Sequence, residues 1–129
     1  MIGATVVIVD DHPEILDLLQ ILLEDEGYRV VTVVEPGAIP RAIEGHEPSV
    51  FLIDLMLPGL NGIALAEHLR SGTHGMTPFI AMSASGAMIR RAADSGRFID
   101  TLQKPFDVDE LLGCLARHLP GRQDGRPDA

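Results

Sequence analysis

Apolar and polar positions come in blocks whose period switches along the chain. Val6-Val7-Ile8-Val9 is a short, unbroken β-branched run, the pattern of a strand covered on both faces. It stops at Asp10-Asp11. Pro13 suits the first turn of a helix, and Ile15, Leu18, Leu19 and Leu22 then recur at helical spacing as one inward stripe. Gly27 is placed to close that helix in the left-handed conformation. Residues 28–34 read as a second strand, and residues 36–44 as a weaker helix interrupted or delayed by Pro40. Val50-Phe51-Leu52-Ile53 is a third buried strand ending at Asp54, followed by a loop over residues 55–59. A helix over about residues 61–70 turns Leu65, Ala66 and Leu69 inward, and residues 71–75 form a polar loop. Phe79-Ile80-Ala81-Met82 is a fourth strand ending at Ser83, residues 87–95 a short helix, and residues 98–102 a fifth strand. After Lys104-Pro105, Asp107 with Glu110 three residues on predicts a capping box. It opens a last helix lined by Leu111, Leu112, Leu115 and Leu119. From Pro120 the chain turns polar and rich in glycine, proline and charge. This divides it into one domain, residues 1–119, and a frayed tail, residues 120–129.

Five strands alternating with five helices imply an α/β fold, a doubly wound parallel sheet with helices on both faces. Ligands of such sheets bind beyond the carboxyl ends of the strands, so the residues there matter most. The first strand ends in Asp10-Asp11, the third in Asp54, the fourth in Ser83, and Lys104 follows the fifth. Each alone has an ordinary explanation: helix-dipole acids, turn chemistry, a structural hydroxyl, a solvated lysine. Together they put three carboxylates, a hydroxyl and an ammonium group on one edge. Carboxylates packed this closely raise one another's pKa values unless a cation intervenes. Oxygen donors of this kind suit Mg²⁺, with Mn²⁺ as a substitute. Such a cation lets an anionic phosphoryl group approach and stabilises its transition state. Lys104 and Ser83 are placed to bind phosphoryl oxygens, and Asp54, central in the set, is the natural nucleophile.

Composition narrows the classes further. Nineteen acidic residues against ten basic ones give a net charge of −9, which disfavours nucleic acid and anionic lipid as direct partners. No apolar run approaches the roughly 20 residues that span a bilayer. The start has no basic segment of a signal peptide, and a single cysteine, Cys114, fits a reducing cytoplasm. Cys114 reads as packing in the last helix. His12, His46, His68, His74 and His118 show no zinc-ligand spacing and read as surface residues, His12 being the one near the acidic edge.

The set resembles the receiver domain of response regulators in two-component signalling. The likeness rests on Val6-Val7-Ile8-Val9-Asp10-Asp11, on Asp54-Leu55-Met56-Leu57-Pro58-Gly59-Leu60-Asn61-Gly62, on Ala81-Met82-Ser83-Ala84 and on Lys104-Pro105-Phe106. It implies the flavodoxin-like strand order 2-1-3-4-5, with Asp54 as phosphoacceptor. Asp11 would be the direct metal ligand, Asp10 its partner acting through water, and Met56 a ligand through its backbone carbonyl. Ser83 would be the switch hydroxyl and Lys104 the phosphate-binding lysine, its bond to Pro105 cis. The donor would be a sensor histidine kinase or a histidine phosphotransfer protein. A separate output protein would meet the face of the fourth helix, fifth strand and fifth helix, the domain acting alone without an effector. It would catalyse only its own phosphorylation and dephosphorylation. One position departs from the family: Thr101 stands where receivers carry an aromatic residue, with Phe98 nearby but out of phase. That keeps a second reading open, a constitutive interaction domain that lost its switch. A flavodoxin-like electron carrier is disfavoured because Asp10-Asp11-His12-Pro13-Glu14 would repel its phosphate. A dehalogenase-type phosphatase would need a second acid where Met56 stands.

Overall fold

The computed structural model describes residues 3–72 and 74–119; the tail expected from Pro120 lies outside them. Chain order is β1 (Thr5–Val9), α1 (Pro13–Asp25), β2 (Arg29–Val33), a 3-10 turn (Pro36–Ala38), α2 (Ile39–Ala42), β3 (Val50–Asp54), β4 (Met56–Leu57), β5 (Leu60–Asn61), α3 (Gly62–Arg70), β6 (Phe79–Ser83), α4 (Gly86–Ser95), β7 (Asp100–Gln103) and α5 (Val108–His118). Five strands form one sheet in the order β2-β1-β3-β6-β7, all pairs parallel. Counted along that sheet alone this is 2-1-3-4-5, the doubly wound order expected. The two-residue strands β4 and β5 pair with each other as an antiparallel hairpin, where the sequence reading had only a loop.

Every residue of β1, β3 and β6 is buried, as strands covered on both faces must be. Successive side chains point to opposite faces, and the core divides accordingly. Val6, Ile8, Val50 and Leu52 pack under α1 and α5 with Leu16, Leu19, Leu23, Leu111, Cys114 and Leu115. Val7, Val9, Phe51 and Ile53 pack on the other face with Ile39, Leu65 and Ala66 of α2 and α3. Burying each such aliphatic chain contributes roughly 1.5–3 kcal/mol.

The helix ends follow their sequence signals. Gly27, at φ 97°, stands just past α1 and returns its N–H to the Glu24 carbonyl, and the Asp107–Glu110 capping box is formed. The weak second helix shrinks to the 3-10 turn and the four-residue α2.

The inward face of α1 differs from the expected one. Leu16, Leu19 and Leu23 are buried, whereas Ile15, Leu18 and Ile21 are exposed, Leu18 at 56% and Ile21 at 65%. β7 also starts later than expected, at Asp100. Phe98 leaves the strand to lie edge-on to Phe79, ring centroids 6.5 Å apart. Thr101 is thereby held half-buried in β7, opposite Ala81.

At the start of β7, Asp100 ties the strand to α5. Its Oδ2 accepts from Arg117 Nη2 at 2.8 Å, lies 2.9 Å from His118 Nε2, and takes the Cys114 thiol at 3.5 Å. Partial burial pushes this carboxyl up, but the bonds from Arg117 and His118 win and hold it at about 2. A depressed acid stabilises the fold above its unfolded value near 3.8 and loses that contribution as pH falls through the folded value. In EDTA at neutral pH, Asp100→Asn should therefore cost on the order of 1–2 kcal/mol, the shift being discounted for the exposed Arg117 partner. Urea melts should show the gap closing as pH drops from about 4 toward 2; a gap of constant size would contradict this origin.

Candidate functional site

The parallel strands bring their carboxyl ends to one edge, and the chain turns there place the side chains. Asp10 follows β1 and is anchored by its N–H to the Val33 carbonyl. Asp54 is the last residue of β3, opposite Met82 of β6. The next residue, Leu55, donates its N–H to the Met82 carbonyl at 2.8 Å, and Gly62 N–H closes back on the Leu55 carbonyl at 2.9 Å. This folds the β4–β5 hairpin tightly against the strand end. A Cβ on Gly62 would lie 2.7 Å from both the Asp54 carbonyl oxygen and Leu55 Cα, so glycine is demanded by close backbone approach. Ser83 ends β6, and its carbonyl accepts the Lys104 N–H at 2.8 Å. The Lys104–Pro105 bond is cis, as the family resemblance implied.

The structure brings Asp10, Asp11, His12 and Asp54 together, their donor atoms within 4.8 Å of one another. Asp10 is 0% and Asp54 4% exposed. Lys104 Nζ donates to Asp10 Oδ2 at 2.8 Å and to Asp54 Oδ2 at 3.4 Å. Asp10 Oδ1 accepts the His12 backbone N–H at 2.9 Å and lies 2.8 Å from His12 Nδ1. Asp54 Oδ1 accepts the Met56 N–H at 3.0 Å. Ser83 is buried, and its Oγ accepts the Ser85 N–H at 3.0 Å, leaving its own proton to donate.

These contacts separate the two buried acids electrostatically. Burial pushes Asp10 up, but the Lys104 and His12 bonds outweigh it, so its pKa lies below the ordinary carboxylate value. Asp54 goes the other way: burial dominates, opposed by the Met56 N–H and the Lys104 charge, and its pKa is raised. Burial lowers the Lys104 pKa less than the Asp10 bond and charge raise it, so its ammonium is held charged. Lys104 is thus committed mainly to Asp10, and Asp54 keeps its Oδ2 only loosely engaged.

A divalent cation fits this donor set. Asp11 Oδ1 is buried and has no hydrogen-bond partner; the nearest cationic candidate, His12 Nδ1, is 3.3 Å away and already directed at Asp10. An orphaned carboxylate oxygen beside two buried carboxylates is the situation that a hard cation relieves. His12, expected near the acidic edge, contacts both Asp10 and Asp11.

Comparison with known proteins agrees with the geometry. The family model for the response regulator receiver domain matches residues 6–116. The transcriptional regulatory protein TcrA of Mycobacterium tuberculosis is 34% identical over 122 residues, covering 92% of this chain and 48% of TcrA. The chain therefore spans about half the length of that curated relative. Among solved structures, the receiver domain of the Pseudomonas aeruginosa sensor histidine kinase PA1611, with magnesium coordinated in its active-site cleft, superposes with a TM-score of 0.76. It is 28% identical, and the match covers 90% of this chain and 97% of that one. The Vibrio cholerae chemotaxis protein CheY4 shares the fold at a TM-score of 0.81 and 24% identity, covering 91% and 99%.

Proposed function

The chain belongs to the response regulator receiver domain family, and from that premise we propose that Asp54 accepts a phosphoryl group from a phosphohistidine donor with the help of a divalent cation. One observation carries this reading. Asp54 is the buried carboxylate that the site leaves least satisfied, with Lys104 3.4 Å from its Oδ2 and an orphaned Asp11 oxygen alongside. Asp54 Oδ2 attacks phosphorus, the P–N bond breaks, and the donor imidazole leaves with the electron pair. Asp10, Asp11, Asp54 and the Met56 carbonyl would hold Mg²⁺, or Mn²⁺ in its place. The cation, when bound, supplies counter-charge to the phosphoryl oxygens. Lys104 binds another of those oxygens, and Ser83 turns its hydroxyl toward a third. The domain acts on itself rather than turning over a separate substrate, and it also sheds its own phosphoryl group. The constitutive alternative resting on Thr101 gains no support from the relatives, which are response regulators.

The donor meets the acceptor over α1. Ile15 and Leu18, with Pro105 and Phe106, line an apolar groove of about 420 Å³ that shares Lys104 with the site. A phosphohistidine protein seated there lies beside Lys104, whose Nζ is 3.4 Å from Asp54 Oδ2. Leu18→Glu should slow transfer from the phosphorylated partner about tenfold or more, the loss of one central apolar anchor, and leave uptake from acetyl phosphate unchanged. Equal slowing with both donors would place the damage in the pocket instead. The net charge of −9 favours proteins over nucleic acid as the domain's direct partners. The output partner is assigned to the face of α4, β7 and α5, in the cytoplasm. Among the described residues no helix is long and apolar enough to cross a membrane.

A further inference from the structure

A second set of metal-ligating groups lies at the other end of β7. Asp100 opens that strand, whereas Lys104 follows its end. Cys114 and His118 stand four residues apart on α5 and so share one helix face. The thiol, the imidazole and the Asp100 carboxylate offer donor atoms within 4.8 Å of one another.

We propose that Asp100, Cys114 and His118 form a binding site for a transition-metal dication of the zinc class, clamping the last turn of α5 to the start of β7. Three observations carry this. The donors are one sulfur, one nitrogen and one oxygen, a set that suits Zn²⁺ and leaves Mg²⁺ to the all-oxygen pocket. The spacing fits as well. Cys114 Sγ is 3.5 Å from Asp100 Oδ2, and Zn–S and Zn–O bonds of about 2.3 and 2.0 Å in a tetrahedron put those atoms about 3.5 Å apart. His118 Nε2, now 2.9 Å from the same oxygen, needs to open by only a few tenths of an ångström. Finally, the charges balance. Arg117 shares the Asp100 oxygen at 2.8 Å but is 61% exposed, so its guanidinium can move out to solvent. The dication then replaces that positive charge and the thiol proton, which passes to the buffer.

Sequence spacing pointed away from such a site because the third ligand comes from a strand fourteen residues before Cys114. Cys114 is the sole cysteine, which makes the test specific. The full chain, with its thiol reduced and the carboxylate pocket saturated with Mg²⁺, is titrated with Co²⁺ as a spectroscopic stand-in for Zn²⁺. The expected result is a thiolate-to-cobalt charge-transfer band in the near ultraviolet that saturates at one equivalent and is displaced by Zn²⁺. Cys114→Ser should abolish it. His118→Gln and Asp100→Asn should each weaken binding at least about tenfold, the lower end of what losing even an outer-shell partner costs. Absence of the band in the parent protein, or affinity unchanged in both His118→Gln and Asp100→Asn, would overturn the proposal.

Discussion

Asp54→Asn should fold normally and fail to take up a phosphoryl group. The carboxamide has nearly the same shape, and its oxygen can still accept the Met56 N–H that Asp54 Oδ1 now holds at 3.0 Å. What it lacks is the anionic oxygen that attacks phosphorus. With the nucleophile removed, uptake from acetyl phosphate should drop by on the order of a thousandfold or more. Stability should move the opposite way. Burial makes the charged form of Asp54 costly and raises its pKa, so a neutral isostere relieves a penalty that the parent carries at neutral pH. In EDTA at pH 7 the variant should therefore melt above the parent in urea or heat. A protein that is both inert and less stable would mean that Asp54 holds the fold together rather than waiting for a phosphoryl group.

Lys104→Met tests the other half of the site, and its effect on stability should be the larger. Lys104 Nζ stands 2.8 Å from Asp10 and 3.4 Å from Asp54, both buried. Removing the ammonium leaves two carboxylates facing each other with only His12 and the Met56 N–H to offset them. Breaking one partner out of a buried ion cluster costs about 3 kcal/mol, and denaturation in EDTA should show a loss of that order. Lysine and a divalent cation compete for the same negative charge, so the variant should bind Mg²⁺ several-fold more tightly than the parent, by calorimetric titration. Mg²⁺ should then recover part of the lost stability. Unchanged stability in EDTA together with unchanged Mg²⁺ affinity would show that Lys104 is a solvated charge with no part in the cluster.

Much of this was legible in the sequence because the signals were local. Unbroken apolar runs over residues 6–9 and 50–53, each cut off by aspartate, fix both the strand and the polar residue at its end. A parallel sheet then does the gathering. The inward face of α1 was not legible, since apolar residues stand at Ile15, Leu16, Leu18, Leu19, Ile21, Leu22 and Leu23. Two overlapping stripes fit a helical period equally well, and only packing against Val6, Ile8 and α5 selects Leu16, Leu19 and Leu23. The surplus stripe becomes the exposed apolar face beside the site. The start of β7 departs from the expected one for a similar reason. Phe98 and Ile99 carry a strand-like pattern, but the Phe98 ring is drawn off to Phe79, and the strand begins two residues later. The contacts of His12 with Asp10 and Asp11, and the Asp100 cluster, were not legible because they depend on side-chain directions and on contacts between elements. Gly62 showed as a glycine at a helix start, while its reason, the Asp54 carbonyl 2.7 Å from any Cβ there, is a fact of tertiary structure.

The claim on which the rest depends is that Asp54 takes up a phosphoryl group with a divalent cation. The most direct measurement is the intact mass of the parent protein after incubation with acetyl phosphate, once with Mg²⁺ and once with EDTA, followed by peptide mapping of any modified species. Metal-dependent uptake at Asp54 should give a single phosphoryl-sized gain with Mg²⁺, none with EDTA, and a modification that maps to the peptide containing Asp54. A gain that persists in EDTA, or one that maps elsewhere, would contradict it.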